Sequence, residues 1–228
     1  MRHNSCTVIV LASPAPPEVL ATVGRSMNVT LVRPADPDGA ADTDGLTAAA
    51  GALRRASSAT SPYALVTADP LAAVAGGWQD MWDLAHPQGP ARFEQEAATA
   101  LAAWRAGQFE LPDYYLVAAS GHEPGHEPGQ PGQTDQAGET GQDFYLGPLR
   151  AARPHRVVFV PAAEPAEQAA GVLTALGSLA HGPWWPSLDD LLQAARTFYP
   201  GRLSETTTPA AVPPAARPFP EPFPSGQS

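Results

Sequence analysis

The chain contains no lysine; all thirteen of its Lys/Arg positions are arginine. That absence removes several chemistries together. A Walker-type phosphate loop cannot be completed, because it places a lysine on the phosphates. Schiff-base catalysis, a kinase-type ATP site and a lysine general base go with it. Codon usage is the simpler account of the missing lysine, because Ala, Gly, Pro and Arg are abundant while Ile9 is the lone isoleucine and Asn4 and Asn28 the only asparagines. Cys6 is the single cysteine, which excludes an internal disulfide and a cysteine-based zinc cluster. Positive charge is scarce too: the formal net charge is −10. An acidic chain repels phosphate backbones and anionic lipid, so neither nucleic acid nor a membrane surface is an expected partner. No apolar run is long enough to cross a bilayer. The opening Met1-Arg2-His3-Asn4-Ser5 lacks the apolar stretch and small-residue cleavage site of a secretion signal, so the expected address is cytoplasmic.

What is present is an alternation of short apolar runs with alanine-rich helical stretches. Cys6–Leu11 is nearly continuous in apolar residues, the pattern of a strand buried on both faces. Similar runs occur at Val29–Val32, Tyr63–Thr67, Tyr114–Ala118 and Arg156–Val160. Between them the spacing predicts a short helix carrying Val19, Leu20 and Val23, and a second of Ala48–Ala56 character. A third helix has Leu71, Val74, Trp78, Met81 and Trp82 on one stripe, and a fourth covers about Ala91–Ala106 with Gly107 as its terminator. Gly76 and Gly77 weaken the third helix by roughly 1 kcal/mol each relative to alanine. Two more helices follow the last strand, about Pro165–Ala180 and one opened by Ser187, which forms an approximate capping box with Asp190.

Strands separated by helices predict parallel pairing with right-handed crossovers. The expected fold is a three-layer α/β domain: a mostly parallel sheet of about five strands, helices on both faces, and a flavodoxin- or Rossmann-like order resembling 2-1-3-4-5. That domain occupies residues 1–203. It carries a Gly/Pro/Gln/Glu-rich insertion at 121–142 and a Pro-rich tail at 204–228, both of a composition that cannot build a packed core. The position and direction of the fifth strand are the open points of this topology.

In open α/β sheets ligands sit beyond the carboxyl ends of the strands. Those ends carry Ser13, Arg33, Asp69, and Ser120 with His122. In the expected order Asp69 and Ser120 lie on neighbouring strands and, with His122, form a candidate acid–base or nucleophile–base cluster. Ser13 and Arg33 are candidate ligand-binding residues, Arg33 as a bidentate partner for carboxylate or phosphate. Plainer roles compete with each: Asp69 before Pro70 is a helix cap, Ser120-Gly121 a turn, His122 part of a loop. His122-Glu123-Pro124-Gly125-His126 matches the zinc-protease pattern formally. That pattern needs a helix, and Pro124 and Gly125 cost it roughly 3 and 1 kcal/mol. No metal site is assigned, and no cofactor.

A receiver-type signalling domain also has an aspartate at the end of its third strand. It further needs an acidic pair after the first strand and a lysine after the fifth, where this chain has Ala12-Ser13 and Pro161-Ala162. Trp184-Trp185, in a turn between Pro183 and Pro186, cannot both face the same way, so one is expected at the surface as an interface candidate. Two functions follow as expectations. The first is a non-catalytic cytoplasmic protein acting through protein–protein interaction. The alternative is a small-molecule enzyme or nucleotide-binding protein using the strand-end rim.

Overall fold

The computed structural model describes residues 6–34, 45–119 and 142–199. Its strands are β1 (Thr7–Leu11), β2 (Val29–Val32), β3 (Tyr63–Val66), β4 (Tyr114–Ala118) and β5 (Val157–Val160). Between β1 and β4 come α1 (Pro17–Val23), α2 (Gly45–Ala56), α3 (Ala72–Trp82) and α4 (Gly89–Arg105). The β4–β5 connection holds α5 (Gln142–Phe144), a π-turn (Tyr145–Leu149) and α6 (Arg150–Ala152); α7 (Pro165–Gly177) and α8 (Leu188–Thr197) follow β5. Proline sits in the first turn of α1, α4 and α7, where its missing N–H costs nothing. The Ser187 hydroxyl accepts the Asp190 N–H at 3.1 Å and donates to its carboxylate at 2.6 Å, so the box foreseen at the start of α8 is formed.

All strand pairs are parallel, β5 included, and the sheet runs β2-β3-β1-β4-β5. The class is the expected one, but the order corrects 2-1-3-4-5: β1 and β3 exchange places. Both orders place the crossover helices on the same faces; what differs is that β3 docks between β2 and β1 instead of on the far edge of β1, which leaves that edge to β4. Only α1 crosses in one direction, and it packs with α7 against Ile9, Leu11, Leu65 and Leu116. The connections to β3, β4 and β5 travel back the other way, with their helices on the opposite face. A reversal of direction paired with a change of face keeps every crossover of one hand. Along β1, Val8 and Val10 therefore face one helical layer while Ile9 and Leu11 face the other.

The layer formed by α3, α4, the β4–β5 connection and α8 is aromatic. Trp78 contacts Trp82, Phe144 and Phe198 through ring edges or tilted faces. The series continues through Phe144–Tyr145 and Tyr145–Tyr115 to Tyr115–Trp185. The indole N–H of Trp78 donates to the Ala195 carbonyl at 2.9 Å and that of Trp185 to Pro112 at 2.8 Å, so both bury without an orphan donor. Gly107 has φ +69°, the left-handed conformation of a helix terminator.

The glycine pair in α3 divides into two roles. A Cβ on Gly77 would stand 2.9 Å from Phe93 Cα, so the close approach of α3 to α4 requires glycine there. A Cβ on Gly76 would meet nothing nearer than the end of Arg92, 4.0 Å away. Gly76→Ala should therefore stabilise the protein by up to about 1 kcal/mol through helix propensity. Gly77→Ala should destabilise it by about 1–3 kcal/mol through overpacking. Urea unfolding of both variants checks this; equal midpoints would contradict it.

Candidate functional site

Asp69 stands three residues beyond the end of β3, where the chain turns into α3. Its Oδ1 accepts the Leu71 N–H at 2.9 Å, and its Oδ2 accepts the hydroxyl of Tyr145 from the π-turn. The helix cap expected at Asp69-Pro70 is not formed there: α3 begins at Ala72 with Leu71 at its N-cap and no side-chain cap bond, and Asp69 instead closes the turn ahead of it. That turn does not explain where the carboxylate lies. The residue keeps some surface at the rim of a cleft, but its charged end is enclosed by protein. Burial pushes its pKa up to about 6, against the hydrogen bonds from Tyr145 and Leu71, which pull it down. The hydroxyl of Tyr115 lies close enough to feel the same carboxylate yet has no hydrogen-bond partner of normal geometry. Both tyrosines are pushed well above their ordinary value, first by burial and then by the charge of Asp69. Among the described residues no basic group acts on Asp69.

The cleft beside Asp69 has a volume of about 400 Å³ and lies between the ends of β2 and β3 and the helices α2, α3 and α4. Leu46, Thr67, Pro70 and Thr99 line it together with two acids, Asp69 and Glu96. A carboxyl group whose pKa lies near neutrality, in a residue that borders a cleft, is the acid–base candidate of this region. No group of three or more His, Cys, Asp or Glu suited to a metal ion occurs among the described residues.

Of the other candidates, the two that are described, Ser13 and Arg33, do not bond to Asp69. Ser13 is buried past the end of β1, and its hydroxyl donates to the Ala118 carbonyl at 2.7 Å and accepts the Ala118 N–H at 2.9 Å. Both its hydrogen-bonding capacities are used to splice β1 to β4. The side-chain amides of Gln142 and Gln168 close the same region, donating to Ala118 at 3.2 Å and Ala119 at 2.7 Å. Arg33 is exposed beyond the edge strand β2, and its carbonyl accepts an Arg55 N–H at 2.8 Å. Ser120, His122 and the rest of the zinc-protease pattern lie outside the described residues. The juxtaposition of the third and fourth strands expected for Asp69 and Ser120 does not occur, because β1 separates β3 from β4.

A second cluster occupies the opposite end of the sheet. Arg156, just before β5, is buried and donates to three backbone carbonyls: Asp113 at 3.0 Å, Gly182 at 3.0 Å and Pro183 at 3.1 Å. Its guanidinium carbon lies 5.1 Å from the centre of the Tyr114 ring and 4.7 Å from that of Trp184. Trp185 is buried at 5% exposure while its neighbour Trp184 stands 44% exposed. Only Trp184 of the pair remains an interface candidate. Tyr115, Tyr145, Glu96 and Arg156 are contributions that the sequence did not single out. Tyrosines inside apolar runs carried the one available signal, since a buried hydroxyl needs a partner.

Comparison with known proteins gives no match: no family model, no curated protein and no solved structure resembles the chain significantly. Among the described residues no helix is long and apolar enough to cross a membrane.

The Asp69 environment has a consequence for pH. A carboxyl group whose folded-state pKa is raised binds its proton more tightly when folded. Its contribution thus favours the fold below the unfolded value of 3.8 and is lost as pH rises through about 6. The rise corresponds to about 3 kcal/mol. Asp69→Asn, which cannot ionise, should gain on the wild type by about that amount between pH 4 and pH 7 in urea unfolding. Parallel pH profiles for the two proteins would contradict the assignment.

Proposed function

We propose that the chain is a cytoplasmic, non-catalytic α/β protein that works by binding another protein. The observation that carries this reading is Trp184, an exposed indole held in place by stacking on a buried arginine. Arg153 fixes the same residue by donating to its carbonyl at 2.6 Å. A large aromatic group that is immobilised before binding loses little entropy on docking, and Trp, Tyr and Arg are the residue types enriched at interface hot spots. Closure of the β1–β4 crevice by Ser13, Gln142 and Gln168 supports the same reading, since that crevice is where such sheets commonly take ligands. The net charge of −10 favours a basic partner surface and disfavours nucleic acid.

A second reading, a small-molecule enzyme or nucleotide-binding protein, is favoured by the Asp69 cleft. Asp69 is its acid–base candidate, with a pKa of about 6 suited to proton transfer near neutrality. The nucleotide form has the lining against it: both charged residues on the wall described, Asp69 and Glu96, are acids.

Affinity capture with wild-type and Trp184→Ala baits tests the first reading. The wild type is expected to retain a defined partner that the variant loses, while the variant's melting temperature falls by only about 2–4 °C. A lone monomer with both baits, or the same partner with both, would overturn it.

A further inference from the structure

We propose that the edge strand β5 is a self-association surface, on which β5 of a second copy of this chain pairs antiparallel about a two-fold axis at Phe159. The inference goes beyond both readings above and does not depend on either. Its first support is the backbone. The Tyr115 N–H donates to the Arg156 carbonyl and the Ala119 N–H to the Val160 carbonyl, each at 2.9 Å. Alternate residues of a parallel strand face its neighbour, so Val158 also faces β4, while Val157 and Phe159 turn their N–H and C=O groups outward. Among the described residues neither finds a hydrogen-bond partner on that side. The opposite edge of the sheet is partly closed, since the Val29 N–H of β2 is taken by the Ser26 carbonyl at 3.1 Å.

The second support is the side chains. Edge strands are commonly blunted by a charge or a proline, because a bare edge is a template for another strand. Val157–Val160 carries neither, and Phe159 stands 43% exposed beside the half-buried Val158. An antiparallel partner centred on Phe159 sets the two rings opposite each other on one face, the arrangement in which cross-strand aromatic pairs interact.

The third support is charge, and it selects a second copy as the occupant. Residues 144–163 hold Arg150, Arg153 and Arg156 and no acid, in a chain of net charge −10. Glu164 and Glu167 follow at the other end of β5. Arg150, Glu164 and Glu167 are exposed and have no ion-pair partner among the described residues. Antiparallel alignment brings the Arg153 end of each copy to the Glu164 end of the other, twice by symmetry. A parallel alignment would set basic end against basic end. General repulsion between two acidic molecules is screened beyond about 8 Å at physiological salt. A contact that maps onto itself in this way closes as a dimer.

Sedimentation equilibrium of the full chain from about 1 to about 200 µM tests the proposal, and a reversible monomer–dimer equilibrium is expected. Phe159→Pro removes the outward N–H and the ring without touching the ladder to β4, and should abolish the dimer, its fold checked by circular dichroism. Phe159→Lys keeps the backbone and sets like charges opposite each other, with the same expected loss should the proline variant misfold. Glu164→Arg should weaken dimerisation by about tenfold, and adding Arg153→Glu should restore it. A monomer throughout that range, a dimer that survives in a folded Phe159 variant, or a dimer indifferent to Glu164→Arg would each overturn the proposal. So would growth past the dimer, the mark of a contact that does not close.

Discussion

The constraint around which this molecule is arranged is a carboxylate enclosed by aromatic rings with no cation beside it. Asp69 joins three parts of the chain at one point: the end of β3, the first turn of α3 and the π-turn that follows β4. Its Tyr145 contact spans 76 residues and ties the connection between β4 and β5 to the far half of the sheet. A π-turn widens the helix by one residue per turn, and such irregular turns recur at functional positions. Here the turn carries the tyrosine that reaches Asp69.

A second buried charge, at the other end of the sheet, offers the contrast. Arg156 is enclosed as well, but three carbonyl oxygens and two aromatic faces surround its guanidinium. It staples the segment Gly182–Trp184 to the starts of β4 and β5 and leaves Trp184 facing solvent. A satisfied charge of this kind builds a platform. The charge at Asp69 has no such match, and it stands where parallel sheets gather their sites. The surfaces of the two functional readings are thus at opposite ends of the strands.

Much of the fold was legible in the sequence because strands buried on both faces read as unbroken apolar runs, as at Cys6–Leu11 and Tyr114–Ala118. The order of β1 and β3 was not legible. It depends on which edge of β1 the third strand docks against, and both choices keep the same helix faces and crossover hand, so the hydrophobic pattern of the strands does not distinguish them. Asp69 was readable as a turn residue ahead of α3 because that signal is local, although the cap position itself falls on Leu71. Its burial was not, since Tyr115 and Tyr145 come from distant segments. The adjacent tryptophans divided as the extended turn required, one inward and one outward. Ser13 was legible by position but not by role, because splicing β1 to β4 depends on a pairing that the expected strand order did not contain.

The central claim is that Asp69 is an enclosed carboxyl group lacking a counter-charge. Its titration, followed through the side-chain carboxyl ¹³C signal and assigned by its loss in Asp69→Asn, tests this most directly. The account requires a midpoint near 6. A midpoint at or below 3.8, the ordinary value, would mean that water or a cation reaches the group, and would contradict it.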